Sequence, residues 1–194
     1  MGNSMIQNAA NLGFISNSNG IDNEIEILSA QDLATQAVID MKCYVNYYHK
    51  GTFKDQLVYK EQEVNVDLDL AHLKKLNAPI KLKIEKDGNQ YLVTGSYYIP
   101  VDAFSSQKEP VKIEKTLASL PASINTRVGT LHFTQNGKYA LKDGESLKVI
   151  IVSPEMAAKG YTKALTVSQT SKTTTIAELV MKDEDPQRSI DYLR

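Results

Sequence analysis

The sequence predicts an α+β fold: a mixed or antiparallel sheet packed against helices from the N-terminal and C-terminal parts of the chain, with a strand-rich insertion in the middle. Two observations carry this. Apolar residues recur at helical spacing near both ends of the chain, while the intervening segment changes to a period of two. Strands and helices are also segregated rather than strictly alternating, which argues against a parallel βαβ array.

Residues 1–20 close on Ser16-Asn17-Ser18-Asn19-Gly20 and read as a flexible N-terminal segment or vector-derived remnant. Ile21, Ile25 and Leu28 then share one helical face. Ser29-Ala30-Gln31-Asp32 matches a Ser-x-x-Asp capping pattern, and Leu33, Ala34, Ala37, Val38 and Met41 continue the helical period. From Tyr44 the residues are aromatic and β-branched, giving strands at Tyr44–Tyr48 and Leu57–Tyr59, with Gly51 between them. Val64, Val66, Leu68 and Leu70 alternate with Asn65, Asp67 and Asp69, as in a strand with one wet face. A short helical turn at Ala71–Leu76 precedes Pro79.

Ile80, Leu82 and Ile84, followed by Asp87-Gly88 and then Tyr91 and Val93, form the clearest hairpin, with Asp-Gly as its two-residue turn. Residues 100–112 read as a loop because they hold two prolines among polar residues. Val128–Thr134 reads as a strand, and Leu147–Val152 as a buried one. Pro154 suits the first turn of a helix running to Ala164. Leu165–Ser168 and Thr173–Met181 are two further strands. Asp185 then caps a last helix with Pro186 in its first turn and Ile190 and Leu193 on its apolar face. The chain is expected to stop at the start of a longer helix.

At 194 residues, with 42% hydrophobic and 23% charged, the chain suits a single domain with a core needing no covalent staples. A net charge of -1 and a pI near 6.3 provide no basic field for nucleic acid. Cys43 is the sole cysteine, which rules out an internal disulfide and a cysteine-rich zinc site. No stretch approaches the ~18 consecutive apolar residues of a membrane-spanning helix.

Candidate chemistry is sparse. Ser171-Lys172-Thr173-Thr174 has the tail of a phosphate-binding loop but lacks its glycines, since none lies between Gly160 and Lys172. His49, His72 and His132 lack metal-ligand spacing. Asp67 and Asp69 share one face of the predicted strand, as an acid/base pair or a hard-cation site requires; the solvated face of an amphipathic strand is the favoured account of them. Lys42 beside Cys43 would lower the thiol pKa slightly. Ten tyrosines, Tyr47-Tyr48 and Tyr97-Tyr98 among them, suit sugar stacking or cross-strand packing. The residues therefore imply no catalytic site, no cofactor and no metal.

Two segments are more specific. Asn23-Glu24-Ile25-Glu26-Ile27-Leu28-Ser29-Ala30-Gln31-Asp32-Leu33 resembles the "E-I-E-I-L-K-S-R-D-L" signature that opens the Wzz-like domain. That domain belongs to the chain-length determinants, or polysaccharide co-polymerases, and to the tyrosine autokinases of capsule and exopolysaccharide export. Val38-Ile39-Asp40-Met41 and Tyr44 resemble its "V-x-D-L-x-L" continuation. Leu165-Thr166-Val167-Ser168, then Ile176 to Met181 and Asp185-Pro186, look like the strand, strand, D-P, helix passage of the same domain. The resemblance covers about 21–48 and 155–194, with Gln31 replacing the usual Arg and a departure around Gln187-Arg188-Ser189.

The resemblance implies one domain over 21–194, with about 52–152 as the strand-rich insertion, on the periplasmic side of the bacterial inner membrane. It implies a non-catalytic assembly module whose motif residues are Glu24, Ile25, Glu26, Leu28, Ser29, Asp32, Leu33, Asp185 and Pro186. Its expected partners are further copies of itself, the polysaccharide polymerase or export machinery, glycan, and the membrane through spans absent from this chain. The autokinase branch, with a separate cytoplasmic kinase domain, is the nearest in type. A soluble carbohydrate-binding or carbohydrate-active domain is the alternative.

Overall fold

The computed structural model describes residues 21–101, 108–171 and 175–194. The N-terminal linker and most of the Ser171-Lys172-Thr173-Thr174 stretch, including the expected start of a strand at Thr173, lie outside the described residues. The fold is α+β with open antiparallel sheets.

Residues 21–28 are helical (α1), and α2 (Gln31–Asp40) follows at once. The expected serine cap is corrected. Ala30 occupies the N-cap of α2 with no side-chain hydrogen bond, and the Ser29 hydroxyl donates back to the Ile25 carbonyl at 2.7 Å. Turned back toward Ile25, the hydroxyl makes no cap bond to an amide of α2. Ala34 and Val38 face the core, but Leu33 is 47% exposed, one step off the buried stripe.

The main sheet has six strands in the order β2-β1-β9-β4-β5-β6: β1 (Val45–His49), β2 (Gln56–Val58), β4 (Ile80–Asp87), β5 (Gln90–Pro100), β6 (Lys108–Leu117) and β9 (Ser146–Ile151). Register explains the core. The rows Val45–Ile151–Ile80 and Tyr47–Val149–Leu82 run straight across three strands, all on the buried face. β9 lies between β1 and β4 with Leu147, Val149 and Ile151 fully buried, as its apolar run implies.

A smaller sheet, β3 (Val64–Asp67), β8 (Gly129–Gln135) and β7 (Ala122–Thr126) in the order β3-β8-β7, covers this face with Val64, Val66, Leu131, Phe133 and Ile124. The two sheets are tied by the Tyr47 hydroxyl, which accepts from the Val66 amide at 2.9 Å and donates to the Val66 carbonyl at 3.3 Å. α4 (Pro154–Ala164), capped by Ser153 with Pro154 in its first turn, lies along α2. It leads into the β10–β11 hairpin (Leu165–Gln169 and Ala177–Met181) and α5 (Pro186–Tyr192).

Four expectations are corrected. Residues 108–112, read as part of a loop, begin the edge strand β6; Pro110 is tolerated there because an edge strand has a side that needs no donor. β7 carried no strand signal in the sequence and was not expected. The β4–β5 turn is Gly88-Asn89 rather than Asp87-Gly88, since Asp87 stays in the ladder opposite Gln90 and Gly88 takes φ +55. Finally, β3 ends at Asp67, and Leu70 opens a one-turn helix, α3 (Leu70–Leu73), instead of continuing the strand.

Candidate functional site

The carboxylates considered for chemistry are already engaged. Asp67 accepts from Lys42 Nζ at 2.5 Å and from the Tyr44 hydroxyl at 3.4 Å. Asp69 is not on a strand face at all: it caps α3, accepting from the His72 amide at 3.1 Å, and its other oxygen meets His72 Nδ1. The His72 ring beside it holds the Asp69 carboxyl below the usual range, so it stays ionised. An acid/base pair needs one carboxyl held protonated, and nothing around Asp69 does that. Among the described residues no group of three or more His, Cys, Asp or Glu side chains is arranged to hold a metal ion.

Cys43 is another correction. Lys42 takes φ +55 and sends its ammonium to Asp67, while the thiol is 4% exposed, and burial pushes its pKa up rather than down. The Tyr161 hydroxyl beside it is buried without a hydrogen-bond partner among the described residues, and burial, followed by the neighbouring thiol, raises its pKa strongly. This pair is packing, not a nucleophile and base. His49 Nε2 lies 2.9 Å from the buried Glu63, and His132 Nδ1 lies 2.9 Å from the Ser123 hydroxyl; each histidine has a protein partner.

Residues from both ends of the motif region touch α4: Gln31 at Glu155 and Tyr192 at Tyr161. In the first motif segment, Glu24, Glu26, Ser29, Asp32 and Leu33 are exposed, with Ile25 and Leu28 half-buried. Gln31 Nε2 donates to the Glu155 carbonyl at 3.3 Å, where the first turn of α4 meets α2. In the second, Asp185 caps α5 by accepting from the Arg188 amide at 3.0 Å, and Pro186 takes the first turn. Tyr192 of α5 stacks on Tyr161 of α4 at 4.7 Å between ring centroids.

No residue of α5 is fully buried, and the helix is held mainly by polar contacts. Arg188 grips Asp183 through Nε at 2.8 Å and Nη2 at 2.5 Å, and donates from Nη1 to Asn46 on β1 at 2.9 Å. This ion pair is nearly dry, its side chains being 14% and 4% exposed. Asp191 accepts from Lys60, from Gln187 at 2.9 Å and from the Tyr59 hydroxyl at 2.9 Å. These bonds, Lys60 first, hold its carboxyl down at about 2. Lys54 pairs with Glu184 next to the helix. The result is a polar latch that fastens α5 to the β1–β2 end of the main sheet. Sequence reading found its cap but not the latch, because Asn46, Lys54, Tyr59 and Lys60, which tie it to the sheet, lie more than a hundred residues away.

Beside the latch runs a groove of about 670 Å³ between the β1–β2 end of the main sheet and the β3–β8 strands. Tyr44, Tyr47 and Tyr59 line it together with Gln62, Asn65 and Thr134. Burial, with Asp67 adding to it, raises the Tyr44 phenol; burial, with a smaller push from Asp67, takes Tyr47 up to about 12 against the opposing bond to Val66. Burial and then Asp191 push Tyr59 up to about 12. All three are neutral hydroxyls near pH 7.

No helix among the described residues is long and apolar enough to cross a membrane. No protein-family model matches the chain, and a search of curated proteins returns no match.

Proposed function

We propose that this chain is the periplasmic scaffold domain of an inner-membrane polysaccharide co-polymerase, acting in chain-length control or export of a capsule, exopolysaccharide or O-antigen. The domain is non-catalytic and works through contacts with further copies of itself and with the polymerase or export machinery. Membrane attachment is through spans outside these 194 residues.

What carries this reading is the resemblance of Asn23–Leu33 and of Leu165–Ser168 and Ile176–Met181 with Asp185-Pro186 to the Wzz-like domain; Gln31 in the first segment and Tyr192, just after the second, each touch α4. Supporting it, the motif side chains of the first segment are largely exposed, as an assembly surface requires, whereas buried motif residues would read as packing. The Cys43 thiol is buried with its pKa raised, and the Asp67 and Asp69 carboxylates are engaged by structural partners. A carbohydrate-binding domain is the second reading, favoured by the tyrosine-lined groove.

Deletion of the parent gene in its own bacterium, with surface polysaccharide separated by length on a gel, tests the proposal. The expected result is loss of the modal length or of export. Complementation with the parent gene lacking residues 21–194 should fail to restore it. An unchanged length distribution and amount after deletion would overturn the reading.

A further inference from the structure

We infer that the groove between β1–β2 and β3–β8 is a binding site for a neutral saccharide segment. Its volume, about 670 Å³, falls within the roughly 300–1,000 Å³ of small-molecule sites. The charge arrangement selects among ligands. Each cation on the wall has its own carboxylate: Lys42 has Asp67, Lys60 has Asp191, and Arg188 has Asp183. A phosphate or a uronate would have to break one of these pairs to gain a counter-ion. A neutral ligand rich in hydroxyls need break none of them.

The remaining wall groups suit such a ligand. Gln62 donates its amide to Asn65 Oδ1 at 2.8 Å, but its Oε1 is buried with no partner among the described residues. A buried acceptor left unmade costs free energy that an incoming O–H donor recovers. The terminal torsion of a glutamine is soft, and Gln62 lines the groove, so rotation about it is the route by which Oε1 would meet a ligand hydroxyl. Thr134, at an exposed position of β8, adds a hydroxyl that donates and accepts. Tyr59 is half-buried and adds aromatic surface to the groove wall, with Lys60 Nζ 5.0 Å from its ring centroid.

The assignment rests on the carbohydrate-binding reading of this groove and stands apart from the scaffold reading. It is tested on the isolated chain by amide NMR titration at millimolar concentrations of neutral tetrasaccharides of glucose, mannose, galactose and N-acetylglucosamine. Inorganic phosphate and glucuronate are the anionic controls. The expected result is a set of shifts confined to β1, residues 57–62, β3 and β8 with at least one neutral sugar, and none there with phosphate. Gln62→Met and the isosteric Thr134→Val should each weaken that binding about three- to ten-fold, the value of one hydrogen bond, with unperturbed core resonances. Silence toward all four neutral sugars overturns the inference. So do phosphate shifts of equal size in the groove, or sugar shifts that neither variant weakens. Any of these leaves the scaffold reading to be decided by polysaccharide length.

Discussion

Asp191 shows how much a single half-buried carboxylate does here. Its folded pKa, about 2, lies below its ordinary value of 3.8, so the native state holds its proton less tightly than the unfolded chain does. Its contribution is therefore complete above its ordinary pKa and is lost as pH falls from there through the folded value. Amide exchange along α5 should accelerate over that acid window while the main sheet stays protected. Asp191→Asn should abolish the acid step, and a step of unchanged size in the variant would assign it elsewhere. Cys43 makes the opposite point. Buried and shifted up, it should react with a disulfide reagent orders of magnitude more slowly in the native protein than in denaturant. Equal rates in the two states would mean that the β1 end of the core is open. Neither property was legible in the sequence. Lys42 adjoins Cys43 in the chain, but a positive φ turns its side chain away. Asp67 and Asp69 are two apart, but the strand ends between them.

At the scale of elements, α5 and the glycine row of the main sheet are the most exposed to single changes. Arg188→Ala should destabilise the protein by about 3–5 kcal/mol, because it strands the Asp183 carboxylate, 4% exposed, without its partner. Adding Asp183→Asn should recover part of that loss, and thermal unfolding of the two variants measures it. Gly95 lies between Leu82 and Ile113, and a Cβ there would stand 2.1 Å from the Lys81 carbonyl oxygen. Because the obstacle is backbone, Gly95→Ala should cost about 1–3 kcal/mol in denaturant melts. A neutral substitution would show that the β4–β5 ladder yields more easily than its register implies. Elements with a strong local signal were legible: α4 matches its predicted span from Pro154 to Ala164, and α5 its predicted cap. β6 was hidden by Pro110 and by the lysines and glutamates that line an edge strand and guard it against pairing. β7 was hidden because only Ile124 of its five residues is buried, too few to set a period.

Across the whole molecule, one core joins both sheets to α2 and α4, and its largest fully buried side chain is Phe133. The fold class was legible because periodicity is a local property repeated many times along the chain. The groove and the latch were not, since they join β1, β2 and β3 to a helix at the far end of the sequence. The function proposed here depends on two short segments that resemble the Wzz-like domain. Reading the parent gene on both sides of residues 21–194 tests that most directly. The account predicts one apolar stretch long enough to span a bilayer, about 20 residues, upstream and another downstream. A parent gene with neither would contradict the scaffold assignment and leave the chain as a carbohydrate-binding domain.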